Sequence, residues 1–339
     1  MKKLNIALVG CGHISIEHIQ AYLKVPERAS VRVCCDIDLA KANQRAATVE
    51  GARAVVELDQ VLNDPTIDAV DICTPHHLHS DTVIAAANSG KHIICQKPLA
   101  KTLSECDAMI SAAERAGTVL YYGEMNQMLP SVTKAAEMVA ENRIGKLVGV
   151  QGTFAFWQGG DILSTAWRYD PEVTGGGQLL DSGIHCIAMM LKIAGPIESV
   201  SCLTTRFRQE LGGEDTSSLT FRFKAGHLGT LFASQAAGTW VPQPNLTIWG
   251  SEGALTLGGP LGALVLHRPD HKDRQEVVIA DRTNAFDSMI GGFLDATLDG
   301  ATNASPGEVG RENLQVVLAA YKSAKTGKVV RLDQTYDTE

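Results

Sequence analysis

The sequence predicts an α/β protein of two domains. The first is an N-terminal doubly wound parallel sheet. The second is a C-terminal α+β domain with a large, open, mostly antiparallel sheet. Three observations carry this prediction. Residues 1–125 alternate short apolar runs with helical patterns that stop at Gly90 and Gly117, which is how βαβ units read. Beyond that point, longer stretches alternate polar and apolar residues, as strands do in a sheet with one covered face. The length of 339 residues suits two domains better than one. The expected division is 1–125 and 126–339.

Each element follows from local pattern. Residues 4–9 form a continuous apolar run, expected of a strand buried on both faces. Two lysines and that run imitate a signal peptide, but Gly10 and Gly12 break it, no small-residue cleavage site follows, and Glu17 and His18 arrive early. A helix is predicted at 15–23, a β-branched strand at 31–35 and an Ala-rich helix at 39–49. Strands at 69–73, 92–95 and 119–122 then alternate with helices at 80–89 and 104–116. In the second domain, a helix is predicted at 131–142. Strands follow at 147–157, 199–207, 217–224, 228–235, 246–249, 264–267 and 276–279. A helix at 179–194 interrupts them. Helices at 286–299 and 308–325 and a strand at 329–332 close the chain.

Composition narrows the function. Apolar residues make up 45% and charged residues 20%, the profile of an ordinary globular protein. A net charge of −8 argues against nucleic acid and anionic membranes as partners. No apolar run approaches the roughly 20 residues of a membrane helix. The eight cysteines form no CxxC or zinc-type pairs and several fall in strand-like runs, which suits small buried apolar groups in a reduced, cytoplasmic setting.

Gly10-Cys11-Gly12-His13-Ile14-Ser15 follows the first strand and opens the first helix. This is GxGxxG with Ser in the last place. The first glycine permits a tight turn, and the second lets backbone approach a pyrophosphate at the helix N-terminus. Asp36 ends the second strand about 20 residues on, the spacing of an acid that binds the adenosine ribose. Its carboxylate would repel a 2′-phosphate by about 4 kcal/mol at about 4 Å and an effective dielectric near 20, favouring NAD over NADP. Arg32 and Arg45 weigh the other way, so NADP stays possible.

Cys73-Thr74-Pro75-His76-His77-Leu78-His79 lies at the end of the third main strand, where ligands of open α/β sheets bind. A metal reading of these histidines would need further ligands, and plain loop and cap residues are the alternative. Gln96-Lys97-Pro98 ends the next strand, which would bring Lys97 near the nicotinamide. Gly175-Gly176-Gly177 leads into a predicted helix that carries Asp181 and His185 four residues apart on one face. A carboxylate can orient an imidazole, and histidine suits proton transfer from an alcohol. A structural pair or a two-ligand metal face are the other readings, and no third ligand is evident, so no metal is expected.

Together these segments resemble the glucose–fructose oxidoreductase/inositol dehydrogenase/rhizopine-catabolism (Gfo/Idh/MocA) family. The resemblance runs almost end to end: GCGHIS, Asp36, CTPHHLH, SGKHIICQKPLA, residues 123–130, WRYDP, GGGQLLDSGIH and the closing GRENLQVVLAAYKSAKTGKVVRL. It implies an N-terminal Rossmann domain and an NAD(P)-dependent oxidoreductase. Such an enzyme moves a hydride between the cofactor and a secondary alcohol or ketone of a sugar, polyol or sugar derivative. It implies that Lys97, Asp181 and His185 are catalytic. It implies a cofactor lined by Gly10, Gly12, His13, Ile14, Asp36, Thr74, Pro75, His77, His79, Gln96, Lys97 and Arg168. Asn126, Trp167 and Tyr169 are the expected substrate contacts. A cis Lys97–Pro98 peptide and a homodimer or homotetramer built on the open sheet are also implied.

The sequence departs from the family pattern at Gln96, usually Glu, at His76, commonly Asn, and at Ala188, often Asp. Two other functions are compatible with the resemblance. One is an enzyme that holds NAD tightly and uses transient redox for epimerisation or glycoside cleavage. The other is a non-catalytic regulator, which has no need of the Lys–Asp–His set.

Overall fold

A computed structural model describes residues 3–159, 167, 170–238, 244–258, 263–268, 275–279 and 284–333. The chain forms two compact units, residues 1–124 with 285–312, and residues 125–284 with 313–339.

The first unit begins with β1 (Leu4–Val9), α1 (Ile14–Leu23), β2 (Ala29–Cys35), α2 (Leu39–Ala46), β3 (Arg53–Val55), α3 (Asp59–Leu62) and β4 (Ala69–Ile72). It continues with α4 (His79–Asn88), β5 (His92–Gln96), α5 (Leu103–Ala116) and β6 (Leu120–Gly123). The six strands form one parallel sheet in the order β3-β2-β1-β4-β5-β6. That is the doubly wound order whose switch point lies between β1 and β4. The continuous apolar runs are explained by burial on both faces: every residue of β4 and β6 is buried. Helix ends follow their local chemistry. Thr102 and Glu105 form a reciprocal capping box on α5, and Gly117 closes it at φ 66°.

The second unit holds α6 (Pro130–Ala140), β7 (Leu147–Ala155), α7 (Pro171–Thr174), a π-helical turn (Leu179–Gly183) and α8 (Ile184–Ala194). After these come β8 (Ile197–Thr205), β9 (Thr216–Phe223), β10 (Leu228–Ser234), β11 (Pro244–Gly250), β12 (Ala254–Gly258), β13 (Leu264–His267) and β14 (Gln275–Ile279). The chain ends with α9 (Ala285–Leu298), α10 (Gly307–Thr326) and β15 (Val330–Arg331). The second sheet has nine strands in the order β14-β13-β12-β11-β7-β10-β9-β8-β15. Every pairing is antiparallel except β7 with β10. In β9 and β10 alternate residues are buried, so one face of the sheet is covered and the other open.

Three features differ from the sequence-based expectation. β3 and β12 are additional strands, and α3 and α7 additional short helices. Residues 285–312, expected in the second domain, join the first unit. There Lys24 pairs with Asp287, Arg28 with Asp295 and Asp299, and Phe293 meets the Tyr121 ring edge-on. The Ser305 hydroxyl also donates to the Tyr122 carbonyl (2.7 Å). Finally, the helix expected at 179–194 opens with a π turn.

Candidate active site

In the first unit, the turn after β1 is shaped by backbone contact. Gly10 has φ 93°, and a Cβ there would stand 2.6 Å from the carbonyl carbon of Cys73, so only glycine fits. Its N–H donates to the Cys35 carbonyl (2.8 Å), joining the turn to the end of β2. Asp36 completes the junction. Its Oδ2 accepts from the Cys11 N–H (2.8 Å) and its Oδ1 from the Asp38 N–H (2.9 Å). Two main-chain donors therefore fix the carboxylate at the end of β2. Asp38 in turn caps α2, accepting from Ala40 N–H. On the other side of the turn, Arg45 donates from Nε to Ser15 Oγ (2.9 Å) and from Nη2 to the Gly12 carbonyl (3.4 Å). Sequence reading weighed Arg45 only as a cofactor selector, and the structure shows it bracing the glycine turn. His13 is exposed and Ile14, half-buried, begins α1.

The structure fits a dinucleotide here. Nothing lies within 4 Å of a Cβ built on Gly12, so its backbone is open to close approach. The Thr74 hydroxyl, at the end of β4, is buried without a hydrogen-bond partner, a cost that a ligand acceptor or donor would relieve. His77 is exposed beside it, next to half-buried Pro75. His79 behaves differently from the other loop histidines. It is fully buried, its Nδ1 lies 2.9 Å from the Pro98 carbonyl and its Nε2 3.0 Å from that of Thr74. Burial holds its pKa below the ordinary value. His79 is therefore held between the Thr74 and Pro98 carbonyls, and its single N–H donates to one of them. Gln96, the last residue of β5, is buried, and Lys97 follows it, half-buried, with a cis peptide to Pro98.

In the second unit, Asp181 and His185 lie on the π turn and the first turn of α8. The N–H groups that open a helix need partners, and here they come from remote residues. Gln178 N–H donates to the Glu214 carbonyl (2.7 Å) and Leu179 N–H to Glu214 Oε1 (2.8 Å). Gly177 N–H (3.1 Å) and Leu180 N–H (3.2 Å) donate to Tyr321 Oη, whose own proton goes to Glu214 Oε1 (2.9 Å). Glu214 passes so close that a Cβ on Gly177 would lie 2.2 Å from its carbonyl oxygen. A π turn often marks a functional site, and this one carries Asp181. Burial pushes the Glu214 carboxyl above its ordinary value.

Gln235, after β10, donates from Nε2 to Ser182 Oγ (2.7 Å) and Asp181 Oδ2 (3.3 Å). His185 is 6% exposed, with the Phe154 ring centroid 5.9 Å from its own. Phe156 packs edge-on against Phe154. Trp157 stacks on the buried Arg208, whose Cζ is 4.2 Å from the ring centroid and whose Nη1 donates to the Gln158 and Gln235 carbonyls. His267 is engaged with Thr256 Oγ1 (2.9 Å), so it has a partner within the sheet. Asn126 and Trp167 are half-buried. Arg168 and Tyr169 lie outside the described residues. Gln235, Arg208, Glu214 and Tyr321 went unnoticed in the sequence, because no local pattern joins them to Asp181.

A six-stranded doubly wound sheet with an open glycine turn and a fixed acidic residue after β2 defines a Rossmann-fold, dinucleotide-binding unit. Residues 4–124 match the family described as "Oxidoreductase family, NAD-binding Rossmann fold", and residues 132–256 match the "GFO/IDH/MocA C-terminal domain". The chain belongs to the Gfo/Idh/MocA family, and its first unit is an NAD-binding domain. It is 31% identical to levoglucosan dehydrogenase of Pseudarthrobacter phenanthrenivorans over 218 residues, which is 62% of this chain and 56% of that one. It is 26% identical to myo-inositol 2-dehydrogenase of Thermotoga maritima over 347 residues, 98% of this chain and 99% of that one. The solved structure of a levoglucosan dehydrogenase with NADH and levoglucosan superposes with a TM-score of 0.88 at 24% identity, covering 98% of this chain and 100% of that one. At that identity the likeness speaks for the fold.

Proposed function

We propose that this chain is an NAD-dependent dehydrogenase that oxidises a secondary alcohol of a sugar, polyol or sugar derivative, or reduces the matching ketone. The observation that carries the reading is the Asp181–His185 pair on a remotely anchored helical segment, in a chain that also has an NAD cradle. The sugar and inositol dehydrogenases among its relatives support the substrate class.

Gly10, Gly12, Asp36 and Thr74 hold the cofactor, with His13, Ile14, Pro75 and His77 around them. When bound, NAD supplies a nicotinamide that accepts or returns the hydride. The chain's own residues move the proton. His185 takes it from the substrate hydroxyl at a ring nitrogen. Asp181, steadied by Gln235, orients the imidazole or shares the hydroxyl. Lys97 donates a hydrogen bond to the same oxygen and stabilises its developing negative charge. Asn126, Trp167, Arg168 and Tyr169 are the candidate contacts to the sugar and nicotinamide. The enzyme works in the cytoplasm as a homodimer or homotetramer. Eight buried cysteines, none in a disulfide, support a reducing compartment.

The test is NADH formation against a panel of aldoses, inositols, deoxysugars and sugar acids, with NAD and with NADP. Turnover with NAD that falls by at least about a hundredfold in Lys97→Ala, with NAD affinity retained, supports the proposal. Unchanged turnover in that variant overturns the role of Lys97. Cofactor that stays bound and recycles while product is isomerised or cleaved would point to the internal-redox alternative.

A further inference from the structure

A buried polar chain runs through the first unit and has no part in the mechanism above. Asp71 sits in the middle of β4 with zero exposure, and His18, on α1, is equally buried. His18 Nδ1 lies 2.8 Å from Asp71 Oδ2. At the other edge of the ring, His18 Nε2 lies 2.7 Å from Nε2 of Gln96. Gln96 is the last residue of β5, and Lys97 follows it.

The donor count orders this chain. An ionised carboxylate only accepts, and an amide nitrogen only donates. His18 must therefore donate from Nδ1 and accept at Nε2, which is a neutral ring with a single defined tautomer. This is the arrangement by which a buried carboxylate orients an imidazole in hydrolase triads, with an amide in place of the nucleophile. The remaining groups around it agree. The Cys73 thiol donates to Asp71 Oδ1 (3.6 Å). Tyr22 on the same helix, Cys95 on β5 and the Phe286 ring, with its centroid 5.5 Å from that of His18, complete the surroundings. The three groups His18, Asp71 and Cys73 also lie close enough to hold a metal ion. Burial and the Asp71 charge push the Cys73 thiol up, however, so it remains a protonated donor and a poor ligand.

We propose that Asp71 and His18 are positioning residues for Lys97. Asp71 holds His18 as the Nδ1–H tautomer, and Nε2 then accepts the Gln96 amide and fixes the end of β5 that Lys97 follows. This rests on the catalytic role assigned to Lys97. It also explains why an amide suits position 96. An ionised carboxylate there would have no N–H to give to Nε2.

The experiment is nitrogen NMR of the full-length, histidine-labelled protein, with the His18 signals assigned by their loss in His18→Gln. The expected result is a protonated Nδ1 and an unprotonated Nε2. Gln96→Leu should lower kcat about ten- to hundredfold on a panel sugar while KM for that sugar stays near the parent value, with the assay run below the variant's melting temperature. An imidazolium in the parent or full kcat in Gln96→Leu overturns the proposal. So does stoichiometric zinc in the purified protein, which would make the cluster a metal site. If no panel sugar is turned over, the proposed function fails, and the NMR result still decides the tautomer.

Discussion

Asp36 shows how much one residue can decide. Its carboxylate cannot swing away from a 2′-phosphate, because Cys11 and Asp38 hold both oxygens. Asp36→Ala should therefore raise kcat/KM for NADP relative to NAD by about a hundredfold or more, the change expected from removing a repulsion of a few kcal/mol. Initial rates with each cofactor check this, and an unchanged ratio would assign selection to Arg45 instead. At this scale the sequence shows the GxGxxS turn, an acid at the end of a strand and a carboxylate four residues before an imidazole, because these are short-range patterns. Nothing in CTPHHLH says that one of its histidines, His79, turns inward between two carbonyls.

Among the elements, the segment from Gly175 to α8 depends most on distant help. Its opening N–H groups rely on Glu214 and Tyr321. Tyr321→Phe leaves two of them and a buried carboxylate short of a partner. It should cost about 1–3 kcal/mol and lower kcat, measured by thermal melting and by turnover. Glu214 adds a pH signature. A carboxyl whose folded pKa is raised contributes stability that is full below the unfolded value, about 4.3, and is lost as pH rises through the folded value. The parent should therefore lose melting temperature as pH climbs out of that range. Glu214→Gln keeps the acceptor oxygen and should flatten the curve. Melting curves at a series of pH values decide it, and equal slopes in both proteins would mean that Glu214 does not titrate in this window.

On the scale of the whole molecule, the open face of the nine-stranded sheet awaits a cover. Leu203, Ser218, Phe232 and Thr153 stand opposite one another in successive strands, and Leu203 (74%) and Phe232 (45%) are exposed. Trp249, Gly149 and Leu228 make a second row, with Trp249 41% and Leu228 51% exposed. Large apolar side chains exposed on one sheet face favour a covering partner, and a second copy of the chain is the proposed one. The double variant Leu203→Glu, Phe232→Glu should shift light-scattering mass toward the monomer while leaving the far-UV spectrum unchanged. An unaltered mass would locate the interface elsewhere.

The sequence by itself determined the architecture of the first unit, the glycine turn with its acidic residue, the alternating strands of the second unit and the Asp–His spacing. All of these are written in periodicity and short-range order, which local sterics and hydrophobic burial enforce. Only the tertiary structure decided that α9 returns to the first unit, that β7 and β10 run parallel, and that His18, Asp71 and Gln96 share one buried chain. It alone placed Glu214 and Tyr321 at the opening of the helix that carries Asp181 and His185. Those arrangements join residues tens to hundreds of positions apart. They depend on how buried polar groups find partners once the core has closed, and no local pattern encodes that outcome.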